Sequence, residues 1–397
     1  MHLPRLLSLL SCLVMLTPGL AAADQPMGAV IHDSFNTSAA QYTRMLEFMK
    51  GKSGFPRTVE NGAVKLVRAA DWTSGFFPGS LWDLFEATGD AKWREAAKTY
   101  TAGVESAKDN KNTHDVGFIL NCSYGNGLRL TGDPAYRDVM LQGAASLSTR
   151  FKPEVGCILS WNPRRGWQFP VIIDNMMNLE LLTWASRTGG NPKFRDIAVK
   201  HADTTLRHHF RGDSSSFHVV DYDPATAQVK ARQTHQGAAD DSAWARGQAW
   251  GLYGYTMMFR ETKNPAFLAQ AQKIAGFIMN HPRLPADRIP YWDFDAPGIP
   301  DAPRDSSAGA IMCSALFELS TLTGGETAAR YRAFAMQQLR SLASPAYRAK
   351  VGENGNFLLK HATGNLPSKS EIDVPINYGD YYFLEALHRC RALEKKS

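Results

Sequence analysis

Cysteine is scarce, five residues in 397. Cys122, Cys157, Cys313 and Cys390 are widely spaced with no CxxC pair, so they read as scattered buried thiols, an oxidised pair being the alternative in an exported chain. After residue 24 no apolar run approaches the roughly 20 residues of a membrane-crossing helix, and no membrane span is expected. No run of Lys and Arg with interleaved aromatics is present, which argues against a nucleic-acid partner. HExxH is missing, and Asp221-Tyr222-Asp223 reads as a hairpin turn instead of a calcium loop, so neither metal nor cofactor is expected. No Pro/Ser/Gly linker or low-complexity tract divides the chain. Residues 24–397 are therefore expected to form one domain, although the length would allow more.

What is present begins with a leader. Met1 to Arg5 makes a charged start, Leu6 to Leu20 an apolar middle and Ala21-Ala22-Ala23-Asp24 a small-residue exit, the pattern of a secretory signal peptide cleaved after Ala23. Leu9-Leu10-Ser11-Cys12 has the outline of a lipoprotein site, but the apolar stretch runs on past Cys12. The mature chain is expected in the periplasm or outside the cell, as a monomer or weak homo-oligomer. Loss of Arg5 takes 44 Lys and Arg to 43 against 38 Asp and Glu, a net of +5, which suits acidic glycans as ligands.

A repeat is hidden in the turns. Thr88-Gly89-Asp90, Thr131-Gly132-Asp133-Pro134, Thr188-Gly189-Gly190-Asn191-Pro192, Thr262-Lys263-Asn264-Pro265 and Thr323-Gly324-Gly325 each join two helix-like stretches. Each combines a left-handed C-cap with a new N-cap, and most place Pro early in the next helix. These are five helical hairpins, and a sixth is expected where a helix within Val374 to Leu393 meets one around Ser38 to Lys50. The fold class expected is all-α, an (α/α)6 toroid, with one small β-hairpin inserted at Phe217 to Val229 about an Asp-Pro-Ala-Thr turn.

The repeat also predicts where chemistry lies. Asp71-Trp72, His114-Asp115, Asp174-Asn175, Asp240-Asp241, Asp305-Ser306-Ser307, and Asp373 with Asp380 precede or open the first helices of the hairpins. The Thr turns follow four to six helical turns later, roughly 20 to 30 Å away, so the clusters share one face. An Asp before a helix is also an ordinary N-cap, the preferred reading for Asp305 and Asp241. Asp174, in Val-Ile-Ile-Asp-Asn-Met-Met, is an ionisable group among apolar neighbours, where desolvation raises its pKa toward that of a general acid. Asp115 has His114 beside it. Two carboxyl groups on one face are the equipment for breaking a glycosidic bond. Thr234 to Trp250 gathers His235, Gln236, Trp244, Arg246, Gln248 and Trp250, residue types that stack on sugar rings and bind hydroxyl and carboxylate groups.

At these motifs the chain resembles glycoside hydrolase family 88, the unsaturated glucuronyl hydrolases. The likeness runs from about Trp72 to Arg389 through DWTSGFFPGSLW at 71–82, HDVGF at 114–118, IDNMMNL at 173–179, THQGAADDSAWARGQAW at 234–250, RDSSA at 304–308 and YGDYYFLEAL at 378–387. The resemblance implies an (α/α)6 barrel and an exo-acting enzyme that removes 4,5-unsaturated uronic acid from lyase-generated oligosaccharides by hydrating the C4=C5 vinyl ether. It implies Asp174 as the group that protonates C4 and then helps activate water, with Asp115 holding the ring and tuning Asp174. Trp72, His114, Trp161, His218, Gln236, Trp244, Arg246 and Trp250 are implied as the substrate-binding wall. Trp161 is equally a packed loop aromatic, and His218 an outward strand residue. Ser368, Lys369 and Ser370 are candidates for contact with the leaving sugar or a sulfate, or a solvated loop. The alternatives are an unsaturated rhamnogalacturonyl hydrolase acting on pectin fragments, and a periplasmic glycan-binding protein without catalysis.

Overall fold

The computed structural model describes residues 25–189 and 191–395, and the leader expected at 1–23 lies outside the described residues. The helices are α1 Met27–Met49, α2 Phe76–Thr88, α3 Ala91–Ala102, α4 Val116–Leu120, α5 Asn126–Thr131, α6 Pro134–Ser148, α7 Leu179–Arg187, α8 Lys193–His208, α9 Ala245–Thr262, α10 Pro265–Asn280, α11 Ser306–Leu322, α12 Gly325–Ala343 and α13 Asn377–Glu394. A π turn at Asn121–Gly125 joins α4 and α5 into one irregular helix. The hairpins are α2/α3, α4–α5/α6, α7/α8, α9/α10, α11/α12 and α13 with α1. The last opens earlier than the sequence suggests, α1 beginning at Met27 instead of near Ser38.

The first arms form the inner ring of an (α/α)6 toroid: α13 packs on α2 and α11, α11 on α9, α9 on α7, and α7 on α4. Burial patterns separate the rings. On α9 every residue from Ala245 to Met258 is buried, and on α11 every residue from Ser306 to Phe317. Outer α12 buries a stripe of Tyr331, Phe334, Ala335, Gln338, Leu339 and Leu342, the spacing of an amphipathic helix with one face to solvent.

Three of the five Thr turns have a common construction. Thr88, Thr131 and Thr262 each donate Oγ1 to the carbonyl four residues back and accept, at 3.2 Å, the N–H two residues on. Gly89, Gly132 and Lys263 hold the left-handed C-cap, and Asp90, Asp133 and Asn264 cap the next helix through their side chains. One hydroxyl thus satisfies a helix-end carbonyl and sets the entry of the following arm.

The sheet content exceeds the single hairpin expected. Strands β1 Phe55–Glu60 and β2 Ala63–Val67 pair about Asn61-Gly62, both at positive φ as a tight hairpin turn requires. The pairs β3 Phe151–Lys152 with β4 Cys157–Ile158, and β8 Ala362–Asn365 with β9 Ser370–Val374, are two further hairpins. The expected one is β6 Val219–Tyr222 with β7 Val229–Gln233, and β5 Pro170–Ile172 adds a third strand to it. Its turn is held by Asp223 accepting from the N–H groups of Ala225 and Thr226. The four cysteines are buried and free. No helix among the described residues is long and apolar enough to cross a membrane.

At the Thr-turn end the barrel holds a cavity of about 580 Å³ whose lining includes Glu86, Arg129, Glu180 and Arg389, each of them ion-paired within the fold. Arg260 pairs with Glu180 and Glu318, Arg389 with Glu318, and Arg129 with Glu86.

Candidate active site

The opposite end of the barrel opens into a cavity of about 360 Å³ lined by Trp72, His114, Asp115, Trp161, Asp174, Gln236, Arg246, Ser368 and Ser370 among the residues expected, together with Arg57, Phe118, Arg164, Ile172, His235, Gly364, Asn365, Glu371 and Tyr378. That size suits a small ligand.

Asp174 lies on a 3-10 turn, Ile173–Asn178, fed by strand β5 instead of an α-helix start. It is only 9% exposed, and its Oδ2 has no hydrogen-bond partner. Burial pushes its pKa up to about 7; the Arg246 charge works against that rise and Asp115 adds to it. Asp115 contrasts with it. Thr113 Oγ1 donates to its Oδ2 at 2.6 Å, and His114 Nε2 lies 3.3 Å from its Oδ1.

The histidine tautomers follow from their partners. The N–H of Phe118 donates to Asn178 Oδ1 at 2.8 Å, so the Asn178 amide nitrogen faces His114 Nδ1 at 3.3 Å and donates to it. The His114 proton is therefore on Nε2, toward Asp115, and burial holds the ring neutral. Gly117 permits this arrangement, since a Cβ there would lie 2.5 Å from Asn178 Cα. His218 Nδ1 accepts the N–H groups of His235 and Gln236 at 3.1 and 3.2 Å. Its Nε2 then carries the proton and faces Asp174 Oδ2 at 3.9 Å.

Not every expected residue reaches the cavity surface. His218 is 3% exposed and backs Asp174; Trp244 lies behind it, ring centres 4.5 Å apart; Trp250 is fully buried against Phe118 at 5.1 Å. The three form a second layer, because α9 turns its Trp244–Trp250 segment into the inner ring. Arg246 does line the cavity, but its guanidinium already donates to Asp305 and to the carbonyls of Thr363 and Gly364. It ties the β8–β9 hairpin to α11. Lys369, at the tip of that hairpin, is exposed and absent from the lining, whereas Ser368 and Ser370 are part of it. Asp305 caps α11 through the N–H groups of Ser307 and Ala308. Asp241 does not cap α9, whose N-cap is Trp244; Asp240 holds the Thr234 N–H instead. Asp373 pairs with His361 at the surface, and Asp380 accepts the N–H groups of Leu358 and Leu359 inside the barrel.

Arg57 and Glu371 belong to different hairpins and meet at 2.6 Å in the cavity wall, with Asp71 on the same guanidinium at 2.9 Å. No spacing in the sequence foretells that pairing. Tyr378 was within reach of sequence reasoning as part of the YGDYYF motif; its ring stacks near Trp72, centres 5.1 Å apart. Among the described residues Asp83, Glu86 and His388 form a group close enough to share a cation, at the Thr-turn end. Two of the three are committed elsewhere: Glu86 to Arg129, and His388 to Arg391 and the Asp83 backbone carbonyl.

A cavity with two carboxyl groups in unlike surroundings, inside an (α/α)6 toroid, is the setting in which the family comparisons carry weight. The family model of glycosyl hydrolase family 88 matches residues 53–391. The chain belongs to that family. An unsaturated glucuronyl hydrolase of Formosa agariphila is 49% identical over 363 residues, covering 90% of each chain. An unsaturated chondroitin disaccharide hydrolase of Streptococcus pyogenes is 31% identical, again covering 90% of each. A crystal structure of an unsaturated glucuronyl hydrolase specific for heparin superposes with a TM-score of 0.89 at 48% identity, covering 92% of this chain and 98% of that one. As a family 88 member the chain is a glycoside hydrolase.

Proposed function

We propose that this family 88 enzyme releases 4,5-unsaturated uronic acid from the non-reducing end of lyase-generated, glycosaminoglycan-type oligosaccharides. The observation that carries the reading is the Asp174 carboxyl, buried in the cavity, pushed up to about 7, and within the field of a second carboxyl that is hydrogen-bonded and partly exposed. One group is thereby kept as an acid while the other stays a ligand for the sugar.

Asp174 gives its proton to C4 of the vinyl ether, and positive charge develops at C5 and the ring oxygen. Water adds to C5 and returns a proton to Asp174, which now serves as base. The product is a hemiketal, which opens and frees the leaving sugar. Asp115 holds the ring and raises the Asp174 pKa by its charge. Trp72, Trp161, His114, Gln236 and Arg246 border the uronate, with His218, Trp244 and Trp250 supporting them from behind. The chain acts as one catalytic domain after a cleaved leader, outside the cytoplasm, as a monomer or weak homo-oligomer.

The conjugated double bond absorbs in the near ultraviolet, so its loss reports hydration directly. Purified protein is expected to bleach glucuronate-type unsaturated disaccharides. Bleaching only of a rhamnogalacturonan fragment, or binding without bleaching of any substrate, would reject the reading.

A further inference from the structure

Three arginines line the cavity, and two are neutralised within the fold. Arg57 is paired with Glu371 and Asp71, and Arg246 with Asp305. Arg164 has no carboxylate partner among the described residues. Its guanidinium lies 4.3 Å from the centre of the Trp161 ring, at the exposed rim of the cavity. The adjacent Arg165, at φ 54°, turns to His235 and reaches its Nδ1 at 2.9 Å. The turn thus uses one arginine to fix itself and leaves the other facing the cavity.

Burial, and then the Arg165 charge, hold Arg164 below the usual arginine range. A partly desolvated cation beside a like charge is unfavourable until an anion joins it. The aromatic face beneath attracts the guanidinium and restricts its motion, which pre-organises it for a bidentate contact. The neighbouring groups Asn365, Ser368 and Ser370 supply amide and hydroxyl groups, and the acid beside them, Glu371, is neutralised by Arg57.

Depth sorts the subsites. Asp174 is nearly buried whereas Arg164 is exposed, so with the scissile ring at Asp174 the next sugar lies toward the rim. We infer that Arg164 is a specificity-determining residue that binds an anionic substituent, sulfate or carboxylate, on the leaving sugar. The inference rests on the hydrolase reading above.

The test uses three unsaturated disaccharides whose leaving sugar is sulfated, carboxylated or neutral, with wild type, Arg164→Gln and Arg164→Lys. In Arg164→Gln the ratio of kcat/KM for the anionic over the neutral substrate is expected to fall about tenfold, the size of one charge-assisted contact, and to fall through KM. Arg164→Lys recovers part of it, and salt erodes the wild-type preference. The arm that loses its preference identifies the anion. A ratio unchanged within about twofold in Arg164→Gln, set against that tenfold contact, overturns the inference. Titration calorimetry with the same saccharides reads the same ratio as affinity. Loss of turnover in wild type therefore overturns the hydrolase reading alone, while the binding ratio still decides the role of Arg164.

Discussion

His218 Nε2 and Asp174 Oδ2 face each other at 3.9 Å, both buried and neither with a hydrogen-bond partner. An N–H and a carboxyl oxygen left unpaired inside a protein are costly, on the order of 1–3 kcal/mol each. Asp174 borders the cavity and His218 stands behind it, so the ring N–H faces the carboxyl from the protein side while a reacting group would meet it from the cavity.

Replacement of Asp174 by Asn keeps the shape and removes the transferable proton. Turnover is expected to fall by about 10²–10⁴ while binding of the unsaturated disaccharide persists. Calorimetry beside the absorbance assay separates the two effects, and near-normal turnover would reject the assigned role.

The pH profile follows from the direction of the Asp174 shift. Its proton is needed, and burial keeps it bound up to about 7, so kcat/KM is expected to be level below that pH and to fall about tenfold per unit above it. Asp115 contributes to the rise by like-charge repulsion. In Asp115→Asn the Asp174 titration, followed by carbon NMR, therefore moves to lower pH. The same raised pKa has a stability consequence: it favours the fold fully below the unfolded value near 3.8 and is lost as pH climbs to about 7.

Arg246 and Asp305 are 1% and 0% exposed and lie 2.8 Å apart. Arg246→Met is expected to cost about 3–5 kcal/mol, because Asp305 is left as a buried unpaired charge and the β8–β9 hairpin loses its tie. Thermal unfolding in the absence of substrate is the measurement. A Tm equal to wild type would show that Arg246 serves the ligand and not the fold.

The two tryptophans of the expected wall are predicted to behave differently. Trp250→Ala creates a cavity in the inner ring and costs about 3–5 kcal/mol in chemical denaturation. Trp161→Ala, at a half-buried rim position, should leave the denaturation midpoint nearly unchanged and raise KM. Equal effects on stability from both would contradict the two-layer arrangement.

The toroid was legible because its signals are local. Thr opens each turn, Gly follows it in four of the five and Asp or Asn appears in four of the five, and where both hydroxyl and cap are present they suffice to end one helix and start the next. The β1–β2 hairpin was equally local in its Asn61-Gly62 turn. Asp174 and Asp115 were legible as an ionisable group among apolar residues and as a His-Asp pair on the face shared by the hairpin starts.

Which side chains touch the cavity was decided only by tertiary structure. Residues two to six apart at the start of α9 share a neighbourhood in sequence, yet Arg246 borders the cavity while Trp244 and Trp250 face the packed ring. Arg57 and Glu371 are separated by most of the chain and meet because the first and last hairpins close the circle. The same closure engages Arg246 and Arg57 with carboxylates, whereas Arg164 at the rim has no carboxylate partner among the described residues. Local sequence thus determined the helices, their caps and the two carboxyl groups; ring closure, which acts between distant segments, decided their environments and hence their chemistry.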